Sequence, residues 1–252
     1  MLPVIIFFVI HWYFSLFCQS FFLHRYVAHG MFTMNKFWEK FFSLLTYIGQ
    51  GSSYLSPRAY GILHKMHHAF SDTEKDPHSP HHTHSIFAMM WETKNLYSAL
   101  VRNCLEIEAR FEVPYIWKSL ENWAESWFSR IAWGTLYTLF YIACYLYFDL
   151  PWVFFLVLPI HYFMGPVHGA IVNWAGHKYG YSNFDNNDKS KNSLFFDFLT
   201  LGELFQNNHH KLPNRVNFAV KWFEIDPIYY IIKVMNWLGI IRLKPQAVRV
   251  MS

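Results

Sequence analysis

The chain has 252 residues, of which 53% are hydrophobic, 21% aromatic and only 15% charged, with a formal net charge of +4. That balance excludes an ordinary soluble domain, in which about a quarter of residues are charged. With no basic run, it also excludes nucleic acid as a partner. One substantial domain over residues 1–252, in contact with lipid, is expected. Cys18, Cys104 and Cys144 are scattered, with no Cys-x-x-Cys pair and no disulfide framework.

Residues 1–23 are apolar apart from His11, Ser15, Gln19 and Ser20, and about 20 apolar residues cross a hydrocarbon core of about 30 Å. Lacking the positive start and small-residue cleavage site of a signal peptide, the stretch reads as a retained span. It leads directly into His24-Arg25-Tyr26-Val27-Ala28-His29.

From Thr33 to Leu63 the apolar run Phe41 to Ile48 is broken by Gly49-Gln50-Gly51-Ser52-Ser53 and by Pro57. A full crossing here would separate His64 from His24 by the membrane. The segment is therefore predicted to dip into the bilayer and return, or to lie along its surface.

His64-Lys65-Met66-His67-His68 follows. At about 100° per residue its three imidazoles fall within an arc of about 100°, so all three rings can face one point. Neutral imidazole is the commonest ligand for borderline transition metals; by itself, the run could also be a solvated histidine cluster. Residues 69–130 are polar and aromatic and read as interfacial and aqueous helices. Asp72, Glu74 and Asp76 are expected to be solvated or to lie behind metal ligands, and His78, His81, His82 and His84, in a proline-containing loop, to be solvated.

Residues 131–148 and 152–174 carry no charge and are joined by Asp149-Leu150-Pro151, which predicts a transmembrane hairpin. At 1.5 Å per residue its arms reach about 27 Å and about 34 Å. His161 and His168 within it, like His11, are expected to make structural hydrogen bonds inside the bundle. Asn173-Trp174-Ala175-Gly176-His177 then places an amide and an imidazole one turn apart, and Gln206-Asn207-Asn208-His209-His210 is the fourth cluster. Asp226 to Leu243 suits an amphipathic surface helix.

Of the 21 Lys and Arg, 11 lie in residues 23–130 and 10 in 175–252, with none in 1–22 or 131–174. Both charged segments are therefore predicted to be cytoplasmic, with the N-terminus outside. All four histidine clusters then share one face. The predicted fold is an all-α integral membrane protein: about three transmembrane helices (1–23, 131–148, 152–174), a re-entrant or interfacial segment, and a cytoplasmic helical cap from 24–130 and 175–252.

His24, His29, His64, His67, His68, His177, His209 and His210, with Asn173 and Gln206 nearby, supply donors enough for two metal ions. No His-Glu-x-x-His or Glu-x-x-His occurs, which argues against a zinc protease and a carboxylate-bridged di-iron bundle. Histidine-only ligation beside lipid suits redox-active iron with dioxygen.

In this order, straddling a transmembrane hairpin, the four clusters resemble the membrane fatty acyl desaturase family, particularly its stearoyl-CoA type, over nearly the whole chain. Asp76-Pro77-His78 and Lys178-Tyr179-Gly180-Tyr181 also fit. The resemblance implies that the eight histidines hold two irons, with Asn173 touching one through a water. It implies oxygen-dependent insertion of a cis double bond into a fatty acyl chain carried by CoA, acyl carrier protein or phospholipid. Two electrons would come from an external b-type cytochrome or a ferredoxin with its reductase. Tyr60, one turn before His64, is a candidate channel wall for the substrate, or else an ordinary interfacial aromatic.

Three departures stand out. Gln206 occupies the place where the family's third box usually opens with another histidine. Ile62-Leu63 stands where acyl-CoA members carry Arg-Asp, and the chain has room for one span before the first box where two are common. A lipid hydroxylase on the same metal core, and a membrane metal or haem carrier, are the alternative functions.

Overall fold

A computed structural model describes residues 1–245. Helix α1, Leu2–Phe17, begins with Pro3 in its first turn, where a missing N–H costs nothing, and continues unbroken as a π-helical stretch, Cys18–Ala28. In an α-helix residues five apart diverge by about 140°. The i→i+5 winding here brings residue 29 back over residue 24, with the His29 N–H donating to the His24 carbonyl at 3.1 Å.

A short strand β1, Phe32–Met34, precedes α2, Lys36–Gln50, which starts where the Asn35 side chain caps the Trp38 N–H. A 3-10 turn over Gly51–Ser53 reverses the chain, and Gly51 takes a positive φ of 51° with the Tyr137 hydroxyl where a Cβ would stand. Ser56 then caps α3, Pro57–Phe70, which returns along the π-helical stretch. The chain between Thr33 and Leu63 therefore reverses as a helix pair, which brings His64 back beside His29.

Helices α4, Ile86–Val101, and α5, Lys118–Ala124, lead to α6, Trp127–Tyr147. Asp149, at φ 48°, turns the chain. The next arm does not run straight as predicted. After a 3-10 stretch, Trp152–Val157, comes α7, Leu158–Tyr162, and then α8, Met164–Lys178; the chain bends by 74° between residues 152–162 and 164–178. Pro166 is the physical reason: it has no N–H to give the carbonyl of Tyr162 four residues back. Ser52 donates to that carbonyl instead, at 3.1 Å, and the Gly165 N–H donates to Ser53 Oγ at 3.0 Å.

Among the described residues, only Leu2–Ala28 is by itself long and apolar enough to cross a membrane, with the bent pair a second candidate. Helix α6 has the length, 21 residues, but contains Arg130 and four tyrosines. The remaining helices are α9, Gln206–Lys211, and α10, Pro227–Trp237. The amphipathic helix expected to reach Leu243 stops at Trp237, because Gly239 at φ 71° ends it. Strand β2, Ile241–Leu243, then pairs antiparallel with β1, Phe32 opposite Leu243, so among the described residues the fold is helical with one ribbon rather than all-α.

That ribbon closes the main core, where Phe21, Phe22 and Phe32 meet Phe42, Phe205, Phe218, Ile228 and Ile241. Each such side chain contributes about 1.5–3 kcal/mol on burial. A second core joins Val4 to Tyr137, Tyr141 and Leu158, and a third packs Ile62 and Leu63 against Phe111 and Val113. His11 and His161 make the expected hydrogen bonds inside the bundle, meeting at Nδ1, 2.7 Å apart, with Tyr141 on the far nitrogen of His161; His168 departs from the expectation, buried with neither ring nitrogen bonded and its ring edge-on to Trp12 at 4.5 Å.

Candidate metal centre

The eight histidines singled out in the sequence come together in two adjoining groups. His24 and His29 from the π-helical stretch and its C-cap, His64 and His68 from α3, and His209 from α9 bring one nitrogen each to within 4.8 Å of one another. His67, His177 and His210 do the same. In the first group Nε2 atoms lie 2.7 Å apart between His29 and His64, 2.9 Å between His68 and His209, and 3.0 Å between His24 and His209. Positions 64, 67 and 68 share one face of α3, but 67 sits off to one side, and so it joins the second group.

Carboxylates decide which nitrogen of each ring faces inward. Nδ1 of His67 donates to Asp76 at 2.9 Å, Nδ1 of His177 to Asp72 at 2.9 Å, and Nδ1 of His210 to Asp188 at 2.7 Å. Nδ1 of His24 donates to Glu203. A ring that gives its proton at Nδ1 presents a bare lone pair at Nε2. In the second group all three rings are fixed this way, with the Nε2 atoms of His67 and His210 3.2 Å apart and Nε2 of His177 buried without a partner. Lone pairs so placed repel unless a cation sits among them. Their separations are those of neighbouring ligands around a metal with bonds of about 2.1 Å, so the donor set fits a transition metal.

Burial reinforces this. It pushes the pKa of His29, His64, His67, His68 and His209 well below the ordinary 6.5, and neighbouring imidazoles push the same way, so the rings stay neutral and can bind a metal. Burial would raise the carboxylates, but they are overruled: His24 and Arg25 hold Glu203 at about 2, and hydrogen bonds from His177 and His210 keep Asp72 and Asp188 below the usual carboxylate range.

Four supporting residues escaped the sequence analysis. Glu203 and Asp188 have no distinguishing spacing. Arg25, fully buried, reaches Glu203 at 2.7 Å and Asp226 at 2.8 Å, with Phe218 against its guanidinium. Asn208 donates to the Phe218 carbonyl and to Glu224, both at 2.9 Å, anchoring a helix of only six residues. Two expectations also fail in the 78–84 loop. His78 is buried, its ring 4.5 Å from that of His67 and its backbone N–H donating to Asp76, and His81 donates to the His177 carbonyl; His82 and His84 are exposed as expected.

The sequence profile of fatty acid desaturases matches residues 1–235. The chain belongs to the fatty acid desaturase family. The family is membrane-associated, in keeping with the apolar α1. Acyl-CoA 5-desaturase AL21 of Anemone leveillei is 27% identical over 219 residues, covering 86% of this chain and 64% of that protein. The sn-1 stearoyl-lipid 9-desaturase of Synechocystis sp. is 29% identical over 235 residues, covering 88% and 66%. The chain thus spans about two thirds of the length of these curated relatives.

The departures from the desaturase pattern can now be located. The Gln206 amide nitrogen donates to the Glu203 carbonyl at 2.6 Å, and its side chain fills the space beneath Gly176. Asn173 lies half-buried on α8, one turn before His177. Tyr60 stacks on His64 with ring centroids 5.9 Å apart and planes 3° from parallel. Ile62 and Leu63 are core residues.

Proposed function

We propose that this chain is an oxygen-dependent fatty acyl desaturase working at two irons on the cytoplasmic side of the membrane. The observation that carries the reading is the second histidine group, whose three rings each surrender Nδ1 to a separate carboxylate and converge through bare Nε2 atoms. His24, His29, His64, His68 and His209 would hold one ion, and His67, His177 and His210 the other, with Asn173 acting through a water. Bound iron supplies reductive activation of dioxygen and removal of two hydrogens from neighbouring methylenes.

In the overall balance, dioxygen takes four electrons, two from the acyl chain and two from an external donor such as a b-type cytochrome or a ferredoxin. It leaves as two waters, and a cis double bond remains. The protein's part is to keep eight imidazoles aimed, and to exclude bulk water from them. Tyr60, stacked on His64, would border the acyl chain near the first group. Lys65, the cation nearest Ile62-Leu63 in sequence, donates to the Glu112 carbonyl at 3.0 Å, and Arg58 is already paired with the Glu112 carboxylate at 2.7 Å. This favours a chain carried on lipid or carrier protein over one carried on CoA. The distribution of Lys and Arg supports the cytoplasmic placement.

Expression in a host that makes only saturated chains, followed by mass spectrometry of its lipids, tests the proposal beside a His67→Ala control. New double bonds in the wild type and none in the control are expected. Hydroxylated chains, or saturated lipids from iron-loaded protein under air, would reject it.

A further inference from the structure

The charge pattern places everything after residue 174 in the cytoplasm, yet one part of that region lies alongside the middle of α1. Trp12 Nε1 donates to the carbonyl of Leu199 at 3.0 Å. Trp12 stands ten residues, about 15 Å, along the helix from Leu2. On one side of that level α1 exposes Ile5, Ile6, Val9 and Ile10. On the other side runs α2, with Gly49 beside Phe14 and Glu39 bonded to Tyr26, and it exposes Phe37, Phe41, Leu44 and Ile48 along its length. Leu199 is therefore bracketed by two outward apolar surfaces.

The segment around Leu199 is itself built for lipid. Phe195, Phe196 and Phe198 are 65%, 51% and 58% exposed. Non-helical backbone survives at hydrocarbon depth only if the protein satisfies its polar groups. Asp197, fully buried, accepts from the N–H groups of Thr200, Gly202 and Leu204 at 2.8, 3.0 and 2.9 Å, and Trp12 serves the Leu199 carbonyl. Further out, Phe195 packs on Phe223 at 5.4 Å, and next to Phe223 stand exposed Trp222 and Lys221, the pairing of an aromatic and a cation typical of the headgroup level.

We infer that residues 195–199 form a wedge inserted into the hydrocarbon of the bilayer, with Trp222 and Lys221 at the headgroups. This rests on α1 crossing the membrane and not on the desaturase reading. Positive φ angles at Leu201 and Gly202 turn the chain from the wedge straight into Glu203, which holds His24. The lipid-contacting segment thus ends four residues before the carboxylate that orients His24 of the first histidine group.

The test needs neither metal nor turnover. In a Cys104→Ser background, with Cys18 and Cys144 buried, the full chain carries a nitroxide at Phe198→Cys, Phe195→Cys or the exposed Ser182→Cys and is reconstituted in phosphatidylcholine vesicles. Labels at 198 and 195 should favour collision with oxygen over a water-soluble nickel chelate several-fold more than the label at 182, with 198 the deeper of the two. If one of the two wedge variants fails to reconstitute, the other decides. A wedge label as accessible to the nickel chelate as that at 182 overturns the inference.

Discussion

The Nε2 atoms of His67 and His210 lie 3.2 Å apart although each ring has already committed its Nδ1 proton to a carboxylate, Asp76 and Asp188 respectively. Removing one of those carboxylates frees a ring to turn or change tautomer. Asp188→Asn should weaken metal binding by about 10–100-fold, read by chelator competition on purified protein. Unchanged affinity would mean that Asp188 does not orient His210.

If the two groups are separate sites, they should fail separately. His177→Ala should lose about one equivalent of iron, His29→Ala about one, and the double variant both, since each site needs about four to six donors. Metal analysis of protein from iron-supplemented cells measures this. Complete loss in either single variant would show that the groups fill only together.

Arg25 is held between Glu203 and Asp226 with no exposure to solvent. Glu203→Ala strips one partner from a buried charge and should cost about 3–5 kcal/mol. Adding Arg25→Met should recover part of that loss in denaturant unfolding of the metal-free protein. A double variant as unstable as the sum of the single ones would show that the pair is not coupled.

Gly176 has no side chain because Gln206 occupies the space. Gly176→Ala should destabilise the fold by about 1–3 kcal/mol through overpacking, and Gln206→Ala in the same chain should relieve it. Thermal unfolding of the two variants side by side decides the matter.

Acid should unfold the metal-free protein. Burial lowers His64, His67, His68 and His209 well below 6.5, so below that pH the unfolded chain takes up protons that the folded one refuses. Their effect on stability is absent above 6.5 and becomes a growing loss as the pH falls beneath it. Burial pushes Glu203 up, but His24 and Arg25 bring it to about 2 from an ordinary 4.5, which adds a second loss between those values. The unfolding midpoint should be level from about pH 7 to 8 and fall steadily toward about pH 4; a midpoint that rises on acidification contradicts this.

Much was legible in the sequence because it is local. The spacing of His64, His67 and His68 guarantees one helix face wherever α3 lies, and the breakers from Gly49 to Pro57 force a reversal that returns His64 to the side of His29. All but the last residue of the chargeless run from 131 to 148 lies within α6. Tertiary structure alone decided which carboxylate serves which imidazole: Glu203 is 179 residues from His24, and Asp72 is 105 from His177. An aspartate that will be buried looks in sequence like one that will be solvated, because burial depends on what packs over it. For the same reason the pairing of β1 with β2, the burial of His78 and the descent of Phe195 to Leu199 beside Trp12 have no local signature. Each requires two distant stretches to meet, and only the folded core supplies the free energy that holds them there.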